Sequence, residues 1–260
     1  MSPASVAQLN GRTATAEQLA AVAVANYGHF TTLRVTEGRT RGLDAHLERL
    51  ADGNRRVFGT GLDGEFVREC LRRAVPGRGT VVARVSLVGA PTVREPDVLV
   101  TLRAAPEPGR PMRLRTVHTE RALPDLKHVG TFAQHYHART AREAGFDDAL
   151  FVTSGGHVAE TSVGTVGLLD AGGGVVWPQG PALTGTTGRL LTRALRRRAV
   201  PVTHRPVPLA EVGGFTAAFV CNAVTLLRPV TGIDDLLLPG HSDALAPLRE
   251  AYEAIPEHPL

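Results

Sequence analysis

The chain is poor in lysine: Lys127 is its only one, although lysine and arginine together number 29 among the 260 residues. A bias toward arginine can replace lysine wherever only a positive charge is needed. It cannot replace a lysine whose amine must lose its proton and form a Schiff base, because a guanidinium lacks that chemistry. Lys127 is therefore either a chance survivor on the surface or a residue retained for its amine.

Cysteine and aromatic side chains are also scarce. Cys70 and Cys221 are too few for a disulfide framework and form no CxxC motif, which favours a reducing cytoplasm. Three tyrosines, one tryptophan and eight phenylalanines offer little surface for base stacking. Because the arginines are scattered, the formal charge of +4 does not indicate a nucleic-acid partner, and we assign no metal-binding residues.

Long hydrophobic runs are missing, and no segment has the length needed to cross a membrane. Ala23-Val24-Ala25 resembles a signal-peptide cleavage site after an apolar stretch. That stretch is short and contains Glu17, and Arg12 is the only basic residue before it, which is not typical of a signal peptide. We therefore expect a cytoplasmic protein without a membrane anchor.

The pattern of elements predicts two domains. Residues 104–111 hold three prolines and a glycine, so we place a linker at 106–111. It separates a smaller α/β N-terminal domain (1–105) from a larger C-terminal domain of mixed strands and helices (112–260). Within the first domain, Ala20 to Ala25 is predicted to be a short strand.

Two further segments carry residue types that suit an anionic, nitrogen-containing ligand. Glu160 lies 33 residues after Lys127 at the end of a predicted strand, where it is either an exposed glutamate or a partner for a cationic nitrogen. Residues 185–189, Gly-Thr-Thr-Gly-Arg, precede a predicted helix. Small residues with free N–H groups at a helix N-terminus favour phosphate, although a simple helix start is the alternative. Arg49 supplies a guanidinium that can bind the same phosphate.

The order of these segments resembles the class IV aminotransferases, the fold-type IV enzymes that use pyridoxal 5′-phosphate (PLP). The family carries, in order, H-x-x-R-L/F, K-x-x-x-x-Y/F/L, E-x-x-x-x-N and L-x-G-I/V/T-T. The matching segments here begin at His46, Lys127, Glu160 and Leu183. The resemblance covers roughly residues 8–250 and implies a two-domain α/β (α+β) fold with a barrel-like C-terminal domain.

The resemblance implies a role for each matched residue. Lys127 forms the Schiff base with PLP, and Glu160 pairs with the pyridine nitrogen. The other cofactor-binding positions are Arg49, Leu183, Thr186, Thr187, Asn222 and Ala223. The substrate-pocket positions are Phe30, Phe132 and Arg84. The family also implies small-molecule amino-acid and keto-acid substrates and a homodimer.

The chain departs from the family pattern at three positions. Thr165 and Gly167 stand where the family has asparagine and phenylalanine. Gly188 stands where an arginine usually follows the threonine of the phosphate turn. These departures concern the geometry of the pocket rather than the presence of a cofactor site.

Local features leave two reactions open. Phe30-Thr-Thr32, Lys127-His128 and Cys221-Asn-Ala-Val resemble aminodeoxychorismate lyase, which releases pyruvate by β-elimination. In contrast, Gly130 and Leu87 stand where that lyase has an asparagine and a carboxylate-binding arginine. Strand alternation places Arg84 and Ser86 on one face and Leu87 on the other.

We therefore favour an aminotransferase, with the lyase as the alternative. A binding protein that kept the fold and lost catalysis is a third interpretation. The retention of the only lysine at the Schiff-base position argues against it.

Overall fold

The computed structural model describes residues 7–107, 110–238 and 243–260. The α-helices are α1 (Ala16–Ala25), α2 (Leu43–Val57), α3 (Gly64–Ala74), α4 (Phe132–Glu143), α5 (Thr186–Arg197) and α6 (Ala246–Glu253). The strands are β1 (Ala7–Leu9), β2 (Arg12–Thr13), β3 (Gly28–Thr36), β4 (Arg39–Arg41), β5 (Thr80–Val88), β6 (Asp97–Ala104), β7 (Met112–His118), β8 (Asp148–Val152), β9 (Val158–Thr161), β10 (Thr165–Leu169), β11 (Val175–Pro178), β12 (Val202–Arg205), β13 (Ala217–Asn222), β14 (Leu226–Ile233), β15 (Leu236–Leu237) and β16 (Glu257–Pro259).

These elements form two compact units, each with its own sheet. The first contains the described residues through Pro106 together with Leu126–Gly130 and Pro256–Leu260, and the second contains the rest. The last two segments were expected in the C-terminal domain. They belong to the first unit because of backbone pairing, since the carbonyl of Lys127 accepts from the N–H of Phe30 and β16 pairs with β4. Residues 108 and 109 of the predicted linker lie outside the described residues.

The sheet of the first unit has the strand order β16-β4-β3-β5-β6-β1-β2. Ala83, Val85 and Leu87 of β5 pack into a core with residues of α2 and α3. Since side chains alternate along a strand, Arg84 and Ser86 leave the opposite face, as the sequence predicts. We call this second face of β3 and β5 the site face.

Helix α2 approaches β3 closely at Gly53. A β-carbon at this position would lie 2.5 Å from Nδ1 of His29, whose side chain is buried. Glycine thus lets the helix that carries His46 and Arg49 rest directly on the strand.

We predict that Gly53→Ala destabilises the fold. The clash should cost about 1–3 kcal/mol, which outweighs the roughly 1 kcal/mol that alanine contributes to a helix. Urea unfolding measures the change in the free energy of unfolding. Gly64→Ala is the matched control, because no atom lies within 4 Å of a β-carbon there. Equal effects of the two substitutions would contradict the packing argument.

Six strands of the second unit close into a ring. The order β10-β13-β14-β7-β8-β9 returns to β10 through the pairing of Glu160 with Thr165. Strand β7 runs parallel to both neighbours, β14 and β8. Alternate apolar residues of the strands pack into one core, among them Met112, Leu114, Leu150, Val166 and Leu168. The ring confirms the predicted barrel-like sheet within a mixed α/β fold.

The prediction of a strand at Ala20 to Ala25 is wrong, because these residues form the end of α1. Thr15 and Gln18 make a reciprocal capping box at its start, and alanines favour the helix. No residue of α1 is buried, so no apolar periodicity marks the helix in the sequence. Among the described residues, no helix is both long and apolar enough to span a membrane.

Candidate active site

The segment around Lys127 pairs with the start of β3. Its carbonyl oxygen accepts from the N–H of Phe30 at 2.8 Å, and the N–H of Val129 donates to the carbonyl of Gly28 at 3.0 Å. His29 and His128 form the antiparallel bridge between these two bonds. The backbone on both sides of the lysine is therefore fixed, and its side chain starts from a defined position.

Two cationic side chains lie near the ring of Phe30. Nζ of Lys127 lies 4.8 Å from the ring centroid, and Cζ of Arg84 lies 3.6 Å from it. Nε of Arg84 also donates to Oγ of Ser86 at 3.2 Å. Burial lowers the pKa of Arg84, and no acidic side chain among the described residues pairs with it. The site face thus brings Phe30, Arg84 and Lys127 together and presents positive charge.

Arg49 and Lys127 share a buried neighbour, His46. Nδ1 of His46 and Oγ1 of Thr31 form a hydrogen bond of 2.6 Å. Burial, together with the charges of Arg49 and Lys127, lowers the pKa of His46 to about 3. His46 is therefore neutral, and two predicted site residues act on the same imidazole. The sequence marks His46 only as the first residue of the motif, and its spacing from Arg49 is the one signal that could have identified it as a site residue.

In the second unit, Glu160 is buried near the end of β9, with 5% of its surface exposed. Oε1 accepts from Nη1 of Arg121 at 3.3 Å, and Oε2 accepts from the N–H of Leu183 at 3.3 Å. The structure thus brings Glu160 and Leu183 together, as their shared role implies. Arg121 was missed, because no motif distinguishes it from the other arginines of the chain.

Helix α5 begins with two buried hydroxyl groups. Thr186 and Thr187 are 3% and 2% exposed, and within the part of the chain that the structure describes neither Oγ1 has a hydrogen-bond partner. Buried polar atoms normally find partners, and the first N–H groups of a helix point outward with a positive dipole. No acidic residue occupies the first turn. These features fit the phosphate of PLP.

The remaining predicted residues have other surroundings. Oδ1 of Asn222 accepts from the N–H groups of Val224 and Thr225, so Asn222 shapes the turn that contains Ala223 between β13 and β14. Phe132 is 81% exposed and stacks on Tyr136 at a centroid distance of 6.1 Å. Because this chain does not enclose Phe132, its place in a substrate pocket stays a prediction.

One of the departures from the family pattern has a physical account. A β-carbon on Gly167 would lie 2.2 Å from Cζ of Phe219, its cross-strand partner, so the ring of Phe219 covers the glycine. The same ring packs edge-on against Trp177. A β-carbon on Gly188 would instead meet Trp177 at an ordinary contact distance of 3.6 Å. Phe219 therefore fills the space beside Gly167, whereas Gly188 is not required by packing.

A known protein family matches most of the chain. The model of the family described as amino-transferase class IV matches residues 28–233. A search of curated protein sequences finds no match.

Solved structures share the fold at low sequence identity. A protein described as a hypothetical aminotransferase from Mycobacterium tuberculosis, in its PLP-bound form, has 22% identity and a TM-score of 0.79, with 90% of each chain covered. The branched-chain aminotransferase of Thermoproteus uzoniensis with norvaline has 20% identity and a TM-score of 0.78, covering 96% of this chain and 94% of its own. A protein from Legionella pneumophila described as a 4-amino-4-deoxychorismate lyase has 20% identity and a TM-score of 0.78, covering 88% and 91%.

Proposed function

Because the chain belongs to the class IV aminotransferase family, we propose that it is a PLP-dependent aminotransferase. It transfers an amino group between an amino acid or amine and a 2-keto acid. The observation that carries the proposal is the position of Lys127. The only lysine of the chain stands at the family's Schiff-base position, with its backbone held on both sides by β3.

Lys127 has two tasks in this proposal. PLP, when bound, supplies an electron sink for the carbanion that forms at the substrate α carbon. Nζ of Lys127 would hold the cofactor covalently in the resting enzyme. When free, the same amine would take the proton from the substrate α carbon and return it during transamination.

The other matched residues hold the cofactor. The carboxylate of Glu160, whose two oxygens accept from Arg121 and from the N–H of Leu183, would pair with the ring nitrogen of the cofactor and favour its protonated form. Thr186 and Thr187 give the phosphate their hydroxyl groups, and Arg49 gives it a guanidinium. The side chain of Leu183 and the turn at Asn222 and Ala223 complete the proposed cofactor contacts.

Arg49→Ala should weaken PLP binding far more than it slows the fully loaded enzyme. The phosphate does not react, so its contacts contribute mainly to binding. Losing a charge-assisted contact costs about 1.5–3 kcal/mol, or roughly ten- to a hundredfold in affinity. Titration of the apo-protein with PLP measures the loss. Arg55→Ala, an exposed position on the same helix, is the control. Unchanged affinity would remove Arg49 from the phosphate site.

The two open reactions differ in what an amino donor leaves behind. A transaminase given a donor alone converts its bound cofactor once to the amine form and stops, because no acceptor regenerates it. A lyase instead releases pyruvate from aminodeoxychorismate over many turnovers. We expect the first result, because Leu87, at the lyase's arginine position, is a core residue with 1% of its surface exposed. Repeated pyruvate release without conversion of the cofactor would favour the lyase.

We further propose a cytoplasmic homodimer. Both cysteines are free and buried, which suits a reducing compartment. The stacked rings of Phe132 and Tyr136, 81% and 53% exposed on α4, supply an apolar surface of the kind that subunit contacts cover. Sedimentation measures the mass of the wild type, which we expect to be that of a dimer, and compares it with the mass of Phe132→Ser. A monomeric wild type would contradict the proposal.

A further inference from the structure

Strand β12 forms an open edge of the sheet of the second unit. It pairs in parallel with β11, and among the described residues no strand lies on its other side. The carbonyl of Arg205 accepts from the N–H of Gln179, which follows β11. Because the backbone groups of successive residues point to opposite edges of a strand, those of Val202 and His204 point away from β11. The edge thus offers backbone donors and acceptors to a further strand.

Helix α5 presents a row of arginines on its exposed side. Arg193, Arg196 and Arg197 are separated by three and four residues, so they are neighbours on one face of the helix. All three are exposed, whereas Leu191 and Leu195 on the opposite side are buried. In the part of the chain that the structure describes, the side chains of these three arginines form no ion pair and no hydrogen bond. The row therefore presents positive charge to solvent.

The open edge and the arginine row meet at His204. This residue pairs with Trp177 across β12 and β11, so both side chains leave the same face of the sheet. Helix α5 covers that face, since the ring of Trp177 lies 3.6 Å from the β-carbon position of Gly188. Burial and, after it, the charge of Arg196 lower the pKa of His204. Arg196 is thus close to the edge of β12.

A row of arginines beside a free strand edge fits an extended acidic peptide. The backbone of such a peptide pairs with the edge, and its side chains alternate, so acidic residues at every second position face the helix. Guanidinium groups select carboxylates because they can donate two parallel hydrogen bonds. Nucleic acid would use the arginines but not the strand edge, and neither β12 nor the arginine row contains a phenylalanine, tyrosine or tryptophan for base stacking.

We propose that β12 and α5 bind an extended acidic segment of a partner protein. The segment adds to the sheet as a further strand beside β12 and pairs with the arginine row. Pro201 and Pro206 flank the strand and keep the pairing short, which prevents longer strands from adding. The surface is separate from the proposed function, because none of its residues is assigned to the cofactor or the substrate.

Fluorescence anisotropy of a labelled peptide of alternating glutamate and threonine tests the role of charge. The wild type should bind this peptide, and added salt should weaken the binding. The same peptide with glutamine in place of glutamate should bind about tenfold more weakly. The triple variant Arg193→Gln, Arg196→Gln, Arg197→Gln should lose about tenfold in affinity for the glutamate peptide, because exposed ion pairs are individually weak.

A change in the peptide backbone tests the added strand. The glutamate peptide with N-methylated backbone nitrogens keeps its charges but cannot pair with an edge, so it should bind about tenfold more weakly. His204→Pro removes an N–H that does not serve β11 and should weaken binding of the unmodified peptide about two- to tenfold. Circular dichroism checks that this variant folds.

A second triple variant removes the same charge elsewhere and should keep its affinity. It replaces exposed arginines of other helices: Arg55→Gln, Arg72→Gln and Arg139→Gln. An equal loss in this control, or equal affinity for the glutamine peptide, would overturn the role of the arginine row. Equal affinity for the N-methylated peptide would overturn strand addition. No binding of the glutamate peptide at low salt, or tighter binding of a single-stranded oligonucleotide of equal charge, would overturn the acidic partner.

Discussion

Lys127→Ala should abolish transamination while the protein stays folded. The change removes both the covalent attachment of the cofactor and the base, and a general base alone contributes about 10²–10⁴-fold. The side chain is only partly buried, so little packing is lost. Turnover of a donor and acceptor pair measures the activity, and circular dichroism checks the fold.

The single lysine makes this result easy to interpret. Borohydride reduction of the loaded wild type should fix the cofactor on the peptide that contains Lys127, since no other side-chain amine is present. Lys127→Arg is the matched variant: it keeps the cation near Phe30 but cannot form the Schiff base. Normal turnover by either variant, or no labelled peptide in the wild type, would contradict the PLP assignment.

Glu160→Gln should retain the cofactor but lose most of the activity. A neutral amide does not stabilise a protonated pyridine nitrogen, so the loss should be about 3–4 kcal/mol of transition-state stabilisation, or roughly 10²–10³-fold in kcat. The amide keeps the size of the side chain and an oxygen for Arg121. Single-turnover kinetics of the loaded enzyme separates this loss from weaker binding.

Glu143→Gln is the matched control for Glu160→Gln. It removes the carboxylate of an exposed ion pair with Arg139, which should change activity little. If Glu160→Gln were as active as this control, its carboxylate would not serve the cofactor.

The sequence predicts those site residues whose chemistry has no substitute. Lys127 stands out because arginine cannot replace its amine, and Glu160 and Arg49 because they keep the family's order. Arg121 has no such mark. It becomes visible only when folding brings its guanidinium to Oε1 of Glu160, 39 residues further along the chain.

The elements that the sequence hides depend on tertiary contacts. Strand β14 contains Pro229 and Gly232, which interrupt a strand pattern, yet β13 and β7 both pair with it. Gly167 is similar: the sequence shows only a missing phenylalanine, whereas in the structure the ring of Phe219 covers the glycine. In both places the explanation lies in a partner that is distant in sequence, so no local pattern contains it.

The pairing of β7 with β14 also determines when the ring can close during synthesis. Met112 of β7 pairs with Val230 of β14. β7, the first strand of the ring to be synthesised, therefore cannot complete its pairing until β14, the last one, has been synthesised. Until then the edge of β7 that pairs with β14 stays uncovered, and an exposed strand edge can pair with other chains. Loop closure over such a distance is slow, because its entropy is lost before the contacts form. The nascent chain therefore has a long interval in which aggregation competes with folding.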